Sequence, residues 1–344
     1  MNAAGTIIIK LIEYGLGVNE LEKQLCIACD LGDIKRVQQL LKEPFIDINC
    51  GAAYNGGETP LYFACGNGQI EVVKLLLKDE RIAVNKGIFL DYTPFWIACA
   101  RGYVEVVKFL LNDERVDVMK EDKYGWTPFY IACHQGQNEV VKLLLNDNRI
   151  DVNKEVSIPY DINTGLSFSG GSYIGNTPTP LYIACYNGHS EVVKLLLSNV
   201  RVDIDQEINS YKTPFDIACN NGHVDIVKLY LNEKRFDINK VNKYGGTPFT
   251  RACGSGFFEA VRYILVSGRE INPIDVHQLS QNFKNSAKNT YLKIAELLES
   301  FERNPDETRM KILLYGKKKK IFFLNYFSFL TQNLFFFSFF FFQM

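Results

Sequence analysis

Apolar and polar positions along this chain alternate between two registers. The shorter is shown by TPFYIAC, residues 127–133, and the longer by NEVVKLLL, residues 138–145. In the first, Thr is able to cap a helix N-terminus and Pro suits the first helical position, where its missing N–H would have no partner. That helix is predicted to be short, because the Gly nine residues after the Thr supplies a positive-φ turn. In the second, apolar residues at 140, 141, 143, 144 and 145 form a face too wide for one neighbour. Such a helix needs cover from its own hairpin mate and from another unit. The following RIDVN, 149–153, alternates like a short extended segment and then turns.

The pattern is copied. Thr-Pro begins at Thr59, Thr93, Thr127, Thr179, Thr213 and Thr247, with spacings of 34, 34, 52, 34 and 34 residues. Ala-Cys-x-x-Gly follows each time, and a seventh copy, Ala28/Cys29/Gly32, lacks the Thr-Pro. An acid-apolar-apolar-base block opens each second helix. Glu139 and Lys142, for example, are predicted to pair across one turn for a few tenths of a kcal/mol.

A period near 33 with Thr-Pro-apolar-x-x-Ala opening a helix pair resembles the ankyrin-repeat family, through TPLYFAC, TPFWIAC, TPFYIAC, TPLYIAC, TPFDIAC and TPFTRAC. The resemblance spans roughly residues 24–271. It implies an all-α solenoid of stacked helix-turn-helix units with hairpin tips, about seven repeats with terminal caps. Departures are visible. The family's usual His is replaced by Tyr62, Trp96, Tyr130, Tyr182, Asp216 or Thr250, and the tip Gly survives only as Gly57, Gly125 and Gly245. Asp91 tolerates a left-handed tip, whereas Tyr211 would be strained there.

The domain reading that follows is a leader over 1–23, repeats over 24–272, a helical cap over 273–316 and a tail over 317–344. Residues 10–45 fit an N-terminal cap, and the apolar spacing from Tyr291 to Phe301 predicts a closing helix, with a second short one to Leu314. The fourth unit carries 18 extra residues within 155–174, read as a flexible loop or as a binding finger bearing Tyr160, Leu166, Phe168 and Tyr173. Residues 321–344 are uncharged, hold 11 phenylalanines and follow Lys317–Lys320. This is the composition of a C-terminal membrane anchor or of translated A/T-rich non-coding sequence, with polar residues such as Asn325 and Gln332 weighing against the anchor.

Composition narrows the chemistry. A formal net charge of -1, from 38 basic and 39 acidic residues, offers no general field for nucleic acid or an anionic membrane. The arginine ladder Arg81, Arg115, Arg149, Arg201, Arg235 and Arg269 is set among Asp79, Asp113, Asp117, Asp151, Asp203 and Asp237, which predicts loop ion pairs rather than phosphate contacts. Seven cysteines share one repeat position and read as small buried hydrophobes, not metal ligands. Cys26 and Cys29 make a CxxC inside a helix with no second pair near it. His189 and His223 follow the turn Gly, a structural place in the resembled family. His134 stands in the surface-exposed part of its helix and reads as a partner contact. No nucleotide-binding, metalloprotease, hydrolase or kinase motif is present, so the expectation is a non-enzymatic, monomeric protein without cofactor or metal. Reduced thiols and the lack of a secretory signal point to the cytoplasm or nucleus, with membrane tethering if the tail is genuine.

Function is then expected in a surface. The resemblance implies that hairpin tips and exposed positions of each first helix line a concave side that binds a protein partner, as a scaffold or adaptor. The residues so placed are Tyr92, Arg101, Lys123, Tyr124, Trp126, His134, Gln135, Tyr186, Asn187 and Lys212. Their Trp/Tyr/Arg mixture matches interface hot spots. A tail-anchored adaptor and a nucleic-acid-binding repeat protein are the alternatives.

Overall fold

The computed structural model describes residues 20–51, 57–88, 90–156, 178–207, 213–242, 244–284, 286 and 288–317. The 155–174 insertion beyond residue 156, Tyr211, Lys212 and the tail after Lys317 lie outside them. The described residues form helices joined by turns, with no strand among them. The chain divides into two compact units, residues 1–217 and 218–344.

The first unit opens with α1 (Glu20–Leu31) and α2 (Ile34–Leu40). Four helix pairs follow: α3 (Pro60–Gly66) with α4 (Ile70–Leu77), α5 (Pro94–Arg101) with α6 (Val104–Leu111), α7 (Pro128–His134) with α8 (Asn138–Leu145), and α9 (Pro180–Asn187) with α10 (Ser190–Ser198). First helices pack in series, α1 on α3, α3 on α5, α5 on α7 and α7 on α9. Second helices form a parallel row, α2 on α4, α4 on α6 and α6 on α8. Helix α11 (Pro214–Asn220) contains the boundary. In the second unit α12 (Val224–Asn232) packs on α14 (Phe258–Val266), the mate of α13 (Pro248–Gly254). Then α15 (Pro273–Phe283), α16 (Asn289–Arg303) and α17 (Pro305–Lys317) follow, with α16 and α17 both against α14. The closing helix and its successor are where the apolar spacing put them. α15 falls inside the helical cap expected over 273–316, although the apolar spacing places no separate helix there.

Local chemistry explains each pair. Thr59, Thr93, Thr127, Thr179 and Thr247 each accept a hydrogen bond on Oγ1 from the N–H three residues on, at 3.0 to 3.2 Å. At Thr213 the cap is reciprocal, since Asp216 takes the Thr213 N–H at 2.7 Å. The turn glycines 68, 102, 136, 188, 222 and 256 have φ between 71° and 79°. Gly136 excludes a side chain for a second reason: a Cβ there would lie 2.7 Å from His189 Nδ1 of the following pair.

The repeat cysteines, from Cys29 to Cys253, are buried, and all nine thiols of the chain are free. Burial raises the Cys65 thiol well above its ordinary pKa, in keeping with an inert packing role. Among the described residues no group of three or more His, Cys, Asp or Glu is placed to hold a metal ion. No described helix is long and apolar enough to cross a membrane.

The arginine ladder is structural, though its partners differ from those expected. Arg81 and Arg115 pair with Asp79 and Asp113 at 2.7 Å, but Arg149 uses Asp147 at 2.6 Å and Arg235 uses Glu233 at 3.3 Å. Arg115 also donates to the Leu77 carbonyl and Arg149 to the Leu111 carbonyl, each at 2.8 Å, so these side chains staple one pair to the one before. Arg269 does the same to Leu231 within the second unit. Asp117, Asp151, Asp203 and Asp237 instead accept backbone N–H groups two residues on, closing their own turns. Five of the six acid-base blocks pair across one turn, as Glu105 and Lys108 do at 2.7 Å. Glu139 and Lys142, expected to pair, are the block that does not.

Candidate partner-binding face

The tips and first helices of the first unit carry an aromatic face. Tyr92 and Trp126, each the residue before its Thr, lie four positions ahead of Trp96 and Tyr130, which replace the family's usual His, and both pairs meet. Tyr92 stacks on Trp96 with ring centroids 4.1 Å apart at 17°. Trp126 lies 5.3 Å from Tyr130 and 5.2 Å from His134. Trp96 Nε1 donates to the Trp126 carbonyl at 3.1 Å, joining the two repeats. Tyr62, in the repeat before, is near enough to Tyr92, Glu58 and Arg101 to feel each electrostatically.

The predicted contacts fall into two groups. Lys123 and Gln135 are exposed, and Tyr92, Tyr124 and Tyr186 are half-buried. Trp126 is not an open hot spot, because only 9 % of it reaches solvent. His134 is half-buried rather than surface-exposed. Its pKa is lowered by burial and then by His189, and its carbonyl takes Asn187 Nδ2 and the His189 ring, both at 2.9 Å. Asn187 is thereby a tie between repeats. Arg101 is exposed but reaches the Gly66 carbonyl and Asn67 Oδ1 of the preceding repeat. Lys212 lies outside the described residues.

Three residues passed over in the sequence complete the face. Trp96 and Tyr130 are buried beside the tip aromatics. The third is Asp122. Its Oδ1 accepts the Tyr124 N–H at 2.8 Å and the Trp126 N–H at 2.9 Å, which shapes the tip. Burial, opposed in part by those two hydrogen bonds and aided by Glu121 and Asp91, pushes its pKa up to about 6. A signal for it existed in the chain: DKYGW at 122–126 recurs as NKYGG at 242–246, so the two differences stand out against an otherwise identical tip.

Comparison with known proteins agrees with this architecture. A family model described as "Ankyrin repeats (3 copies)" matches residues 2–87, 82–156, 161–240, 181–275 and 217–302. Among solved structures the chain is similar to the ankyrin repeat domain of Bcl-3, described as a unique member of the IkappaB protein family, with a TM-score of 0.53 and 21% identity over 66% of this chain and 92% of that one. That likeness concerns the fold. A search of curated proteins gives no match. The capped helix pairs, the left-handed turn glycines and the matched segments together place this chain in the ankyrin-repeat family.

Proposed function

We propose that the protein is a non-enzymatic interaction scaffold that holds a protein partner on the tips and first helices of its first unit. Ankyrin repeats are generally protein–protein interaction modules. The observation that carries the reading is an aromatic cluster from three successive repeats, with Tyr62, Tyr92 and Tyr124 half-buried at its surface over the buried Trp96, Trp126 and Tyr130. Second helices present the opposite chemistry, with ion pairs such as Glu71–Lys74 and Glu105–Lys108 over a fully packed apolar side. Aromatic and arginine-rich surfaces supply most of the energy in protein interfaces, and exposed ion pairs supply little.

The test compares two variants of the full chain as bait. One alters exposed or half-buried positions of the aromatic face, Lys123→Glu, Tyr124→Ser and Gln135→Arg. The other alters the second helices, Lys108→Glu and Lys142→Glu. Proteins retained by the native chain and by the second-helix variant, yet lost by the first, locate binding on the tips and first helices. Loss only with the second-helix variant would move the site to the other face and overturn the proposal.

A further inference from the structure

The tip at 122–126 contains more chemistry than its shape requires. Asn242 makes the same turn in the second unit, accepting the Tyr244 and Gly246 N–H groups on Oδ1 at 2.9 Å each. A carboxylate is therefore unnecessary for the turn. Asp122 is nevertheless an acid, 6 % exposed, and its Oδ2 is buried without a partner among the described residues. A buried acceptor of this kind destabilises the fold unless something satisfies it.

The same surroundings hold further unsatisfied groups. Among the described residues, the hydroxyl of the fully buried Tyr130 has no partner and the buried Trp126 Nε1 has no acceptor. The charges acting on Asp122, from Glu121 and Asp91, are both negative, and Asp122 in turn acts on the phenols of Tyr92 and Tyr130. Glu121 is already matched by Lys154 at 3.0 Å, whereas Asp91 is exposed at the neighbouring tip with φ 60°. Aromatic faces beside an unmatched carboxylate are complementary to a planar cation.

We propose that this tip receives an arginine side chain of the bound protein, its guanidinium stacking on the Trp126 indole and donating to Asp122 Oδ2. The proposal rests on the scaffold reading and names the chemistry of its partner. Arginine fits better than lysine, because a flat guanidinium both stacks on an aromatic ring and presents paired N–H donors to a carboxylate. Trp126 Nε1 would take a backbone carbonyl of the same segment. Asp122 and the indole nitrogen are closed to solvent in the free chain, so entry of the guanidinium requires the Trp126 ring to turn.

The chain supplies its own reporter, since Trp96 and Trp126 are its only 2 tryptophans. The full chain is titrated with acetyl-Gly-Gly-Arg-Gly-Gly-amide, following tryptophan emission, beside the same peptide carrying citrulline, which is isosteric and neutral. The expected result is a saturable change with arginine and binding at least about tenfold weaker with citrulline. Asp122→Asn, which keeps the turn as Asn242 does, should abolish that preference. The preference should also fall below about pH 6, where Asp122 takes up a proton in the presence of Glu121, Asp91, Tyr92 and Tyr130. Absence of a saturable change with arginine, equal binding of the two peptides, or an unchanged preference in Asp122→Asn would each overturn the proposal. None of these touches the scaffold reading, which stands or falls on the two bait variants.

Discussion

The tips that open at Asp122 and Asn242 share their turn hydrogen bonds and differ in the surface they present. In each, the first residue's N–H donates to the fifth residue's carbonyl, at 3.2 Å from Asp122 and 2.9 Å from Asn242, and the fourth residue, Gly125 or Gly245, has φ of 76° or 82°. Each first side chain holds the third and fifth N–H groups. Yet Tyr244 is 68 % exposed, while in the other tip Tyr124 is half-buried beside a covered Trp126. The two tips differ in sequence at two positions, Asp122 against Asn242 and an indole against a hydrogen at Trp126 and Gly246. A repeat can therefore keep its turn fixed by hydrogen bonds and vary a neighbouring side chain to change what the surface offers.

The largest effect should come from making the first tip resemble the second. Trp126→Gly removes a ring packed against Tyr130 and His134 and should cost about 3 kcal/mol, as for other buried aromatic side chains. Urea unfolding at neutral pH measures it. A loss below about 1 kcal/mol would show that the indole contributes little to the fold, and would leave binding as its role.

Next is the acid. The folded-state pKa of Asp122, about 6, lies above the ordinary carboxylate value, so the folded chain holds a proton that the unfolded chain releases. The stabilisation from that proton is complete below about pH 4 and is lost as pH rises through about 6. Asp122→Asn has no such dependence. Relative to the native chain it should gain on the order of 2 kcal/mol between pH 4 and pH 7, read from paired urea midpoints. A difference that stays flat with pH would mean that Asp122 is solvated rather than buried.

These two residues also mark how far the chain could be read in advance. The Thr caps, the left-handed glycines and the packed cysteines follow from interactions within a few residues, and the structure has them where the spacing put them. The closing helix was legible for the same reason. Trp126 and His134 were misplaced in exposure, because burial there depends on rings four and eight positions apart lying along one side and on the His189 ring of the next pair. Arg101 and Asn187 were read as open contacts, yet each bonds groups more than 30 residues away. Asp122 was passed over because a tip acid reads as a turn former. Its second oxygen matters only once the neighbours that bury it are known.

The positive-φ glycine that the two tips share can be tested directly. Gly125→Ala and Gly245→Ala should each cost about 1–2 kcal/mol, the cost of holding an L side chain at positive φ. At Gly245 no atom of the described residues lies within 4 Å of the added carbon, so the expected cost there is backbone strain. A clearly larger cost at Gly125 would show that the burial around Trp126 also constrains the turn. Equal costs, measured in the same denaturant series, would confine the difference between the tips to their side chains.

The smallest effect is the most demanding check. Asn242→Asp places in the second tip the acid that the first tip contains. The side chain there is half-buried, with Gly246 in place of the indole and the exposed Tyr244 beside it. Water should reach the added oxygen, so the carboxylate keeps its turn bonds without strong desolvation. The change should lie within about 0.5 kcal/mol and show little dependence on pH between 4 and 7. If Asn242→Asp instead reproduced the pH dependence of Asp122, the turn itself would be perturbing the acid. The aromatic cover would then be irrelevant to it, and the argument for an arginine at Asp122 would lose its footing.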